Sequence, residues 1–232
     1  MPQTAARFGE DRSTFEAFKA IALGRKSVRA FRPDPVPEAI IRDVFSLAQW
    51  GPSNCNTQPW KVVIASGATL DRLRAAHSAE IAAGIQLSPD LPYQRDLYPP
   101  DFLRRMSMHH AAMGVPRGDK AGQIDILRRN LDFFGAPHAA YLYMPDWGNE
   151  REASDLGMFA QSVLLGLSAR GLAACPQTVL GLFAAPARRV LQVDPAWKLL
   201  FGIAFGYADD SQPLARLEQD REDFETAISF QR

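Results

Sequence analysis

The sequence predicts one domain in which α-helices and β-strands are mixed, and three observations lead to this prediction. Apolar runs of strand length occur at 60–66, 139–144 and 199–207. The last run does not alternate with polar residues, so we expect it to be buried on both faces. Stretches with helical spacing lie between these runs. A chain of 232 residues, 47% of them hydrophobic, is long enough to build one large core.

Two helices are predicted before residue 50. The residues from Ser13 to Glu16 fit a capping box, and Gly24 ends the helix that follows. Residues 1–12 are polar, and we expect them to be loose. A second helix has Pro37 in its first turn. The apolar residues predicted to form its buried stripe are Ile40, Ile41, Val44, Phe45 and Ala48.

The middle of the chain contains a long connection that we expect to act as a lid. Residues 69–85 have a helical pattern, whereas residues 86–100 hold four prolines and few apolar repeats. Connections of this length are often lids or binding loops. A short helix is predicted at 101–112, and Asp119 is placed to cap another helix that runs through Phe134.

The most apolar helix is predicted at 154–170. Its apolar residues are not confined to one stripe, since Met158, Leu165 and Ala169 lie opposite the main one. A helix that is apolar nearly all round must be buried on all sides. This leaves two alternatives, the centre of the core or an interface between subunits. The chain then continues through a strand-to-loop transition at 171–178.

Charge and cysteine content narrow the classes of partner. The 26 basic and 26 acidic residues balance, so no overall field favours nucleic acid or an anionic membrane. No apolar stretch is long enough to span a bilayer. The two cysteines, Cys55 and Cys175, form no disulfide framework, and we expect two free thiols in a cytoplasmic protein.

The loop at 51–60 carries the densest group of hydrogen-bonding side chains. Its sequence is GPSNCNTQPW, with a proline near each end and a large aromatic residue last. Prolines remove backbone freedom, so the polar groups between them are partly preorganised. Any connection between a helix and a strand is rich in such residues, but it does not need this many amides and hydroxyls.

A basic segment precedes the second helix. Residues 25–33 read RKSVRAFRP, with four cations and a hydroxyl within eight residues. If the segment is extended, Arg25, Ser27 and Arg29 share one face and Lys26 takes the other. Arginine guanidinium groups suit phosphate oxygens, and a serine hydroxyl adds another donor. The alternative from the residues alone is an ordinary basic turn.

Common catalytic and nucleotide-binding motifs are absent from the sequence. It has no Walker loop, no HExxH, no CxxC, and no GxGxxG after a strand. The pair His109-His110 has no carboxylate or cysteine at metal-ligand spacing, so we expect a pair on a helix surface and no metal site. No acid, base and nucleophile set is evident. The protein is therefore either not an enzyme or one whose cofactor carries the chemistry.

Three motifs in order resemble the FMN-dependent nitroreductase family. They are RKSVRAF at 25–31, PSNCNTQPW at 52–60, and Gly171-Leu172 followed by Pro176. The resemblance extends from about Gly24 to Tyr207. Within the family, the sequence is most similar to bacterial reductases that act on nitrobenzoate-like nitroaromatics.

The resemblance implies an α+β nitroreductase-like fold with a central mixed β-sheet flanked by helices. It also implies an intertwined homodimer with two FMN sites at its interface. The C-terminal extension, residues 208–232, would then reach over the partner subunit. One domain would span residues 1–232.

The resemblance also assigns residues to the FMN phosphate and to the reactive edge of the flavin. Arg25 and Ser27 would bind the phosphate together with a tail arginine, for which Arg221 is preferred and Arg216 is the reserve. Glu218 stands where relatives tend to have a cation. Lys26 would lie along the ribityl phosphate through its backbone. Arg29 would be the catalytic residue, its charge near the flavin N1–C2=O edge stabilising the anionic reduced flavin.

Other residues implied by the resemblance would surround the ring. Those contributed by the partner's loop would be Pro52, Ser53, Asn54 and Asn56, with Gln58 and Trp60 supporting them. Those packed against one ring face would be Pro176, Gln177 and Thr178. A backbone N–H near Thr178 or Val179 would meet flavin N5, and Asn130 could reach the pyrimidine edge. Phe133 or Phe134 would line the open face together with a lid at 86–118, unless both pack in the core.

The activity implied is the reduction of nitroaromatics by NADH or NADPH, with a hydride passing through flavin N5 in a ping-pong cycle. Small aromatic substrates would stack where the nicotinamide had been. Two alternatives stay open. The same cofactor could serve a quinone, an enone or a halogenated aromatic substrate, or the protein could bind flavin without turnover.

Overall fold

The structure, a computed structural model, describes residues 12–93 and 97–232. The loose N-terminus predicted for 1–12 therefore falls outside the described residues except for Arg12. In the described ranges no helix is both long and apolar enough to cross a membrane.

Helices lie close to the predicted positions. Residues 12–24 are confirmed as helical, and the second helix buries four of the five residues of the predicted stripe, with Ile40 half-buried. The α-helices in chain order are α1 (Arg12–Gly24), α2 (Glu38–Ala48), α3 (Gly67–Ala82), α4 (Pro100–Ala112), α5 (Lys120–Leu131), α6 (Glu150–Ala169), α7 (Thr178–Gly181), α8 (Ala184–Leu191) and α9 (Phe224–Ala227).

Four strands form one sheet, in the order β1-β2-β4-β3. The strands are β1 (Lys61–Ser66), β2 (His138–Pro145), β3 (Ala173–Gln177) and β4 (Trp197–Gly206). All three pairings are antiparallel, so the expectation of a mixed sheet is wrong for these four strands. The one parallel pairing in the described ranges is an isolated bridge between Ser27 and Ala174, because the basic segment joins β3 at one residue pair only.

The core lies on both faces of this sheet. Every residue of β2 is buried. Tyr141 and Tyr143 pack into one cluster with residues of α3, α7 and α8, whereas Leu142 and Met144 pack into another with α2 and α6. Alternate residues of a strand point to opposite faces, so the sheet is the middle layer between two layers of helices.

Helix α6 is only partly covered within the chain. Its main stripe packs against the sheet and α2, but Met158 on the opposite side is 37% exposed. Helix α1 lies against α6, with the Ser168 hydroxyl donating to the Ile21 carbonyl. No residue of α1 is buried, and Phe15 and Phe18 are 64% and 54% exposed. The burial of α6 on all sides that the sequence predicts would thus require another chain.

Polar residues set the ends of α5 and α6. Asp119 caps α5 as predicted, because its carboxylate accepts from the Gly122 N–H. The helix ends at Leu131 rather than Phe134, since Phe133 and Phe134 take left-handed conformations (φ 58° and 54°). A capping box formed by Asn149 and Glu152 begins α6 four residues earlier than predicted.

His138 joins the start of β2 to two other segments. Its Nε2 accepts from the Val36 N–H at 2.8 Å, so Nε2 is unprotonated. The proton is therefore on Nδ1, which donates to the Ser66 hydroxyl at 2.5 Å. Burial lowers the pKa of His138 below its ordinary value of 6.5, and the same cause lowers the pKa of buried His77. Both side chains are held neutral in the folded state.

The stability of the fold should therefore decrease as the pH falls. A histidine whose pKa is lowered by folding is protonated first in the unfolded chain, so its stabilising effect is complete above about pH 6.5 and is lost below it. We expect the urea-unfolding free energy to decline from pH 7.5 to pH 5.5. His138→Phe should lower stability at pH 7.5 by about 1–3 kcal/mol, because Val36 loses its acceptor.

The difference between wild type and His138→Phe should shrink at pH 5.5, since part of the wild-type pH dependence is removed. His77→Phe is the matched comparison, because it should remove its own share of that dependence. A constant difference between pH 7.5 and pH 5.5 would contradict the assignment to His138.

Candidate active site

The basic segment lies along β3, where one backbone pairing fixes it. The Val28 N–H donates to the Ala174 carbonyl at 3.0 Å, and the Arg29 N–H donates to the Leu214 carbonyl at 3.2 Å. The Val28 side chain is buried. Arg25, Ser27 and Arg29 are half-buried, whereas Lys26 is exposed. This burial pattern agrees with the predicted division between two faces.

Two donors of this segment have no partner in residues 12–93 and 97–232. They are the guanidinium of Arg25 and the hydroxyl of Ser27. Lys26 is different, since its Nζ lies 3.5 Å from a Glu218 carboxylate oxygen. A half-buried cation beside a free hydroxyl is a donor set suited to a phosphate.

The guanidinium of Arg29 is held on two sides. Nη1 donates to the Ser27 carbonyl at 2.9 Å, and Nη2 lies 3.3 Å from Nε2 of His109 on α4. Its charge also acts on Cys175, where it opposes the burial that raises the pKa of that thiol to about 11. Arg29 thus lies near the residue that precedes Pro176.

The structure separates the two tail arginines. Leu214, which accepts from Arg29, belongs to a 3-10 turn over Pro213–Ala215, and Arg216 follows that turn directly. Arg221 is exposed and donates to the carbonyls of Gln219 and Asp220 at 2.8 and 3.0 Å. The turn that is bonded directly to the backbone of the basic segment therefore leads into Arg216, whereas the Arg221 guanidinium bonds its own tail.

The loop at 52–58 has a strained backbone held by side chains. Cys55, Asn56 and Gln58 have φ values of 49°, 59° and 48°. The Ser53 hydroxyl accepts from the Gln58 N–H at 2.9 Å, and the Gln58 amide donates to the Asn56 side chain at 3.2 Å. Pro52, together with the side chains of 54 and 56, is exposed. Strain of this kind is often found at ligand sites.

Two residues of the apolar layer support this loop. The Asn54 N–H donates to a carboxylate oxygen of Asp155 at 3.0 Å, and Asp155 is only 5% exposed. Trp60 packs on Phe159, with ring centroids 5.1 Å apart, in the supporting role predicted for it. The sequence analysis missed Asp155. The one feature of the sequence that indicated Asp155 was a carboxylate inside an otherwise apolar helical stripe.

The loop and the basic segment lie at opposite corners of the sheet. The loop leads into β1 at Lys61, whereas Ser27 pairs with Ala174 of β3, at the other edge. Through the register, Ala174 lies level with Ser66, the far end of β1. Three strand spacings and five residues separate the corners, about 14 Å across and about 17 Å along the strands. One chain does not bring these two motifs together.

Residues at the end of β3 do come together with α5. The buried Gln177 amide donates to the backbone and side-chain oxygens of Asn130 at 2.7 and 2.8 Å. Its own Oε1 is buried without a partner in the described ranges. Thr178 and Val179 begin α7, where first-turn N–H groups lack intrahelical acceptors. The predicted residues 176–179 and Asn130 therefore form one cluster.

Close contact with β4 holds α7 in place. A Cβ on Gly181 would lie 2.4 Å from the Leu200 carbonyl oxygen, and one on Gly202 would lie 2.4 Å from Leu180. Neither position tolerates a side chain without movement of the neighbouring element. The first turn of α7 is consequently fixed against the sheet.

A cavity of about 1000 Å³ opens beside this cluster. It lies between α4, α5 and the start of α7, and its lining residues from Pro100 to Arg117 fall within the lid predicted at 86–118. The residues that line it are Pro100, Leu103, Arg104, Ser107, His110, Met113, Val115, Pro116, Arg117, Gln123, Ile126, Leu127, Asn130 and Val179. This lining contains two arginines and no carboxylate. Phe133 and Phe134 are buried in the core instead, so core packing is the correct alternative for both.

The first part of the predicted lid is tied down. Asp90 accepts from Arg188 at 2.6 Å and from the Leu199 N–H at 2.8 Å. The Ser88 N–H donates to the Leu182 carbonyl at 2.9 Å. Residues 94–96 lie outside the described ranges. Helix α4 and the break that follows it are the parts that cover the cavity.

The expectation of a surface histidine pair is wrong for His109. Its ring is half-buried, with Nε2 facing Arg29 and Nδ1 lying 3.1 Å from Oε1 of Gln219. Burial is the main cause that lowers its pKa. His110 bonds the Met106 carbonyl of its own helix. Neither His109 nor Gln219 carried a sequence signal for this contact.

This chain is similar in sequence and in fold to proteins of known family. Residues 22–207 match the model of the Nitroreductase family. The chain is 42% identical to nitroreductase NfnB of Mycolicibacterium smegmatis over 208 residues, 84% of this chain and 85% of the relative. It is 29% identical to a 4-nitrobenzoate reductase of Pseudomonas putida, covering 88% and 91% of the two chains.

Solved structures agree with this. The FMN-dependent nitroreductase NfnB from Mycobacterium smegmatis, in complex with NADPH, superposes with a TM-score of 0.90 at 38% identity, over 94% of this chain and 100% of that one. An FMN- and NADPH-dependent NfnB from a Sphingopyxis strain gives 0.86 at 33% identity, over 92% and 98%.

The three-layer α+β fold of this chain is shared with a class of FMN-dependent enzymes. Within that class, this chain belongs to the nitroreductase family. The resemblance carried by the three sequence motifs is thereby confirmed.

Proposed function

We propose that the protein is an FMN-dependent NAD(P)H oxidoreductase that reduces nitroaromatic compounds. The observation that carries the proposal is the half-buried pair of Arg25 and Ser27 beside β3, whose side chains have no partner among the residues that the structure describes. The relatives of this chain support the proposal, because both NfnB structures are of FMN-dependent enzymes and one of them is a complex with NADPH.

The residues present fit FMN. Arg25 and Ser27 would bind its phosphate, and the Lys26 backbone would lie alongside. The cluster of Asn130 and residues 176–179 would accept the ring, with first-turn N–H groups of α7 directed at its reactive edge. Bound there, FMN would supply a two-electron carrier between a nicotinamide donor and a nitro group.

The chain's own groups would then orient and stabilise the reactants. Arg29 would place a fixed positive charge where negative charge develops. Helix α4 would cover the cavity and exclude water. No residue needs to act as a nucleophile.

The site would be completed by a second copy of the chain. The loop residues Pro52, Ser53, Asn54 and Asn56 lie too far from the basic segment to reach it within one chain. Apolar faces on α1 and on the outer side of α6 would meet the partner. In the described chain the tail up to Glu222 packs on its own α4, through the Arg105–Glu222 ion pair. Only the exposed aromatic residues from Phe224 onward would extend over the partner.

The remaining parts of the proposal concern domain and location. We treat residues 1–232 as one domain. We also place the protein in the cytoplasm, where NAD(P)H is available. Cys55 and Cys175 are both free thiols, in keeping with a reducing compartment.

The function is tested with purified protein loaded with FMN. NADPH or NADH should bleach the yellow flavin under anaerobic conditions, and 4-nitrobenzoate or nitrobenzene should restore the colour. Each reoxidation supplies two electrons, so with excess NAD(P)H two turnovers should convert the nitro group through nitroso to hydroxylamine. Light scattering on the same sample should give the mass of a dimer. Bleaching without nitro reduction, but with reduction of a quinone or enone, would support the alternative substrates. Bound flavin that NAD(P)H does not bleach would identify a non-catalytic flavin-binding protein.

Arg216 should be the tail arginine that binds the FMN phosphate. Its turn is bonded to Arg29, whereas the Arg221 guanidinium bonds its own tail. Arg216→Gln should raise the FMN dissociation constant about tenfold, since a charge-assisted hydrogen bond is worth about 1.5–3 kcal/mol. Arg221→Gln, the matched control, should change it less than twofold in a fluorescence-quenching titration. The reverse ranking would restore Arg221 to the phosphate site.

The two arginines of the cavity should bind phosphate groups of the nicotinamide donor. Arg104 and Arg117 are exposed, whereas Asn130 and Val179 at the other end are half-buried. A small nitroaromatic would occupy the half-buried end, and a dinucleotide is long enough to reach the arginines. Asp101, at 3.8 Å from Arg104, competes weakly because both side chains are exposed.

Replacing both arginines (Arg104→Gln with Arg117→Gln) should raise the KM for NADPH about three- to tenfold at low salt, with less effect on NADH. The KM for nitrobenzene should not change. Arg128→Gln, an exposed arginine of α5 outside this lining, is the control. A raised KM for 4-nitrobenzoate with an unchanged KM for NADPH would show that the arginines serve the acceptor instead.

A further inference from the structure

Three segments that are far apart in the sequence meet at the Arg29 guanidinium. The basic segment supplies Arg29 itself, α4 supplies His109, and the tail supplies Gln219. The contacts form a chain from Arg29 Nη2 to His109 Nε2 at 3.3 Å, then from His109 Nδ1 to Gln219 Oε1 at 3.1 Å. The sequence analysis gave none of the three a shared role.

The direction of each hydrogen bond follows from elementary chemistry. A guanidinium can only donate, so Nε2 of His109 accepts and carries no proton. The proton of the neutral ring is then on Nδ1, which donates to Gln219. The Gln219 amide nitrogen donates to the Glu218 carbonyl at 2.8 Å, which leaves its Oε1 as the acceptor. All three side chains are consistent with one tautomer of His109.

The charges around His109 favour this neutral tautomer. A protonated ring would face the Arg29 guanidinium at 3.3 Å with no acceptor between them. On α4, His110 adjoins the ring, and Arg105 pairs with Glu222 of the tail. The other charged groups nearby on the tail and the basic segment are Glu218, which pairs with Lys26, and Asp220 and Arg221, which are exposed.

We infer that His109 is a positioning residue. Its neutral ring accepts a hydrogen bond from the Arg29 guanidinium and so fixes the orientation of that group. The same ring links Arg29 to α4 and to the tail. The second donor contact, from Nη1 to the Ser27 carbonyl, sets the other side of the guanidinium. Together they hold both ends of the group, so its plane cannot rotate. The catalytic importance of this orientation rests on the proposed function, whereas the hydrogen-bond chain itself does not.

The hydrogen bond between Arg29 and His109 should depend on pH. Protonation of His109 removes the acceptor for Arg29, so the guanidinium is held at neutral pH and released in acid. The Nδ1 proton is unaffected, so the contact of α4 with the tail at Gln219 persists in acid. Hydride transfer to the flavin should then slow on the acid side while FMN stays bound.

The tautomer is tested first, by imidazole nitrogen NMR on ¹⁵N-histidine-labelled protein with and without FMN. The His109 signal should be that of a neutral ring protonated on Nδ1 at pH 7.5, and Gln219→Ala should shift it. A ring protonated on Nε2, or a charged ring at pH 7.5, would overturn the inference. This readout needs no activity, so it stands even if the protein reduces no nitroaromatic.

The effect on Arg29 is tested by stopped-flow reduction of the bound flavin. His109→Phe removes the acceptor and should slow reduction about tenfold, with the FMN dissociation constant changed less than threefold. His109→Gln can still accept from Arg29, so it should recover most of the rate and lose the decline in acid. Ala111→Ser, an exposed change on the same helix, is the control.

Two outcomes of the kinetic test would overturn the inference. One is a wild-type reduction rate in His109→Phe. The other is an acid decline that persists unchanged in His109→Gln. If His109→Phe does not fold, Gln219→Ala takes its place, because it leaves the ring present and removes only the acceptor of its proton.

Discussion

The site depends on one short backbone pairing, in which Val28 donates to the Ala174 carbonyl and Ser27 forms a single parallel bridge. Val28 is buried by that pairing, which leaves its polar neighbours at the edge of the sheet. The next backbone N–H, that of Arg29, donates to the Leu214 carbonyl of the tail, so the pairing with β3 does not continue. Because the segment departs from β3 after one pair, its side chains stay beside the strand end rather than becoming part of a longer strand.

The strand order imposes a second constraint. β1 and β3 are the two edges of the sheet; the motif at 52–60 adjoins β1 and the basic motif at 25–31 adjoins β3. The register also places the motifs at opposite ends of the strands. In the proposed site the two motifs are unlike halves at different corners of every chain, and the shortest way to join them is a symmetric pair of copies.

Local signals predicted most of the fold. The stripe of α2, the Asp119 cap and the apolar strands each depend on neighbours within a few residues. The missed contacts span much longer separations: 101 residues for Asn54 with Asp155, and 80 for Arg29 with His109. A polar residue on a helix is usually solvated, so His109 does not differ in sequence from a surface residue, and Asp155 differs only in lying within an apolar stripe. Phe133 and Phe134 were uncertain for the opposite reason, since an aromatic residue suits a core and a ring-binding site equally well.

The opposite-corner arrangement has a genetic consequence. In the proposed dimer, a change at Arg25 and a change at Asn56 damage different halves of a site. A mixed dimer with one altered chain of each kind would place both defects in one site and leave the other intact. Two inactive alleles could thus complement each other, whereas two alleles altered in the same motif could not. Selection would then act on the two motifs together, because each site takes one motif from each chain, although one gene encodes both.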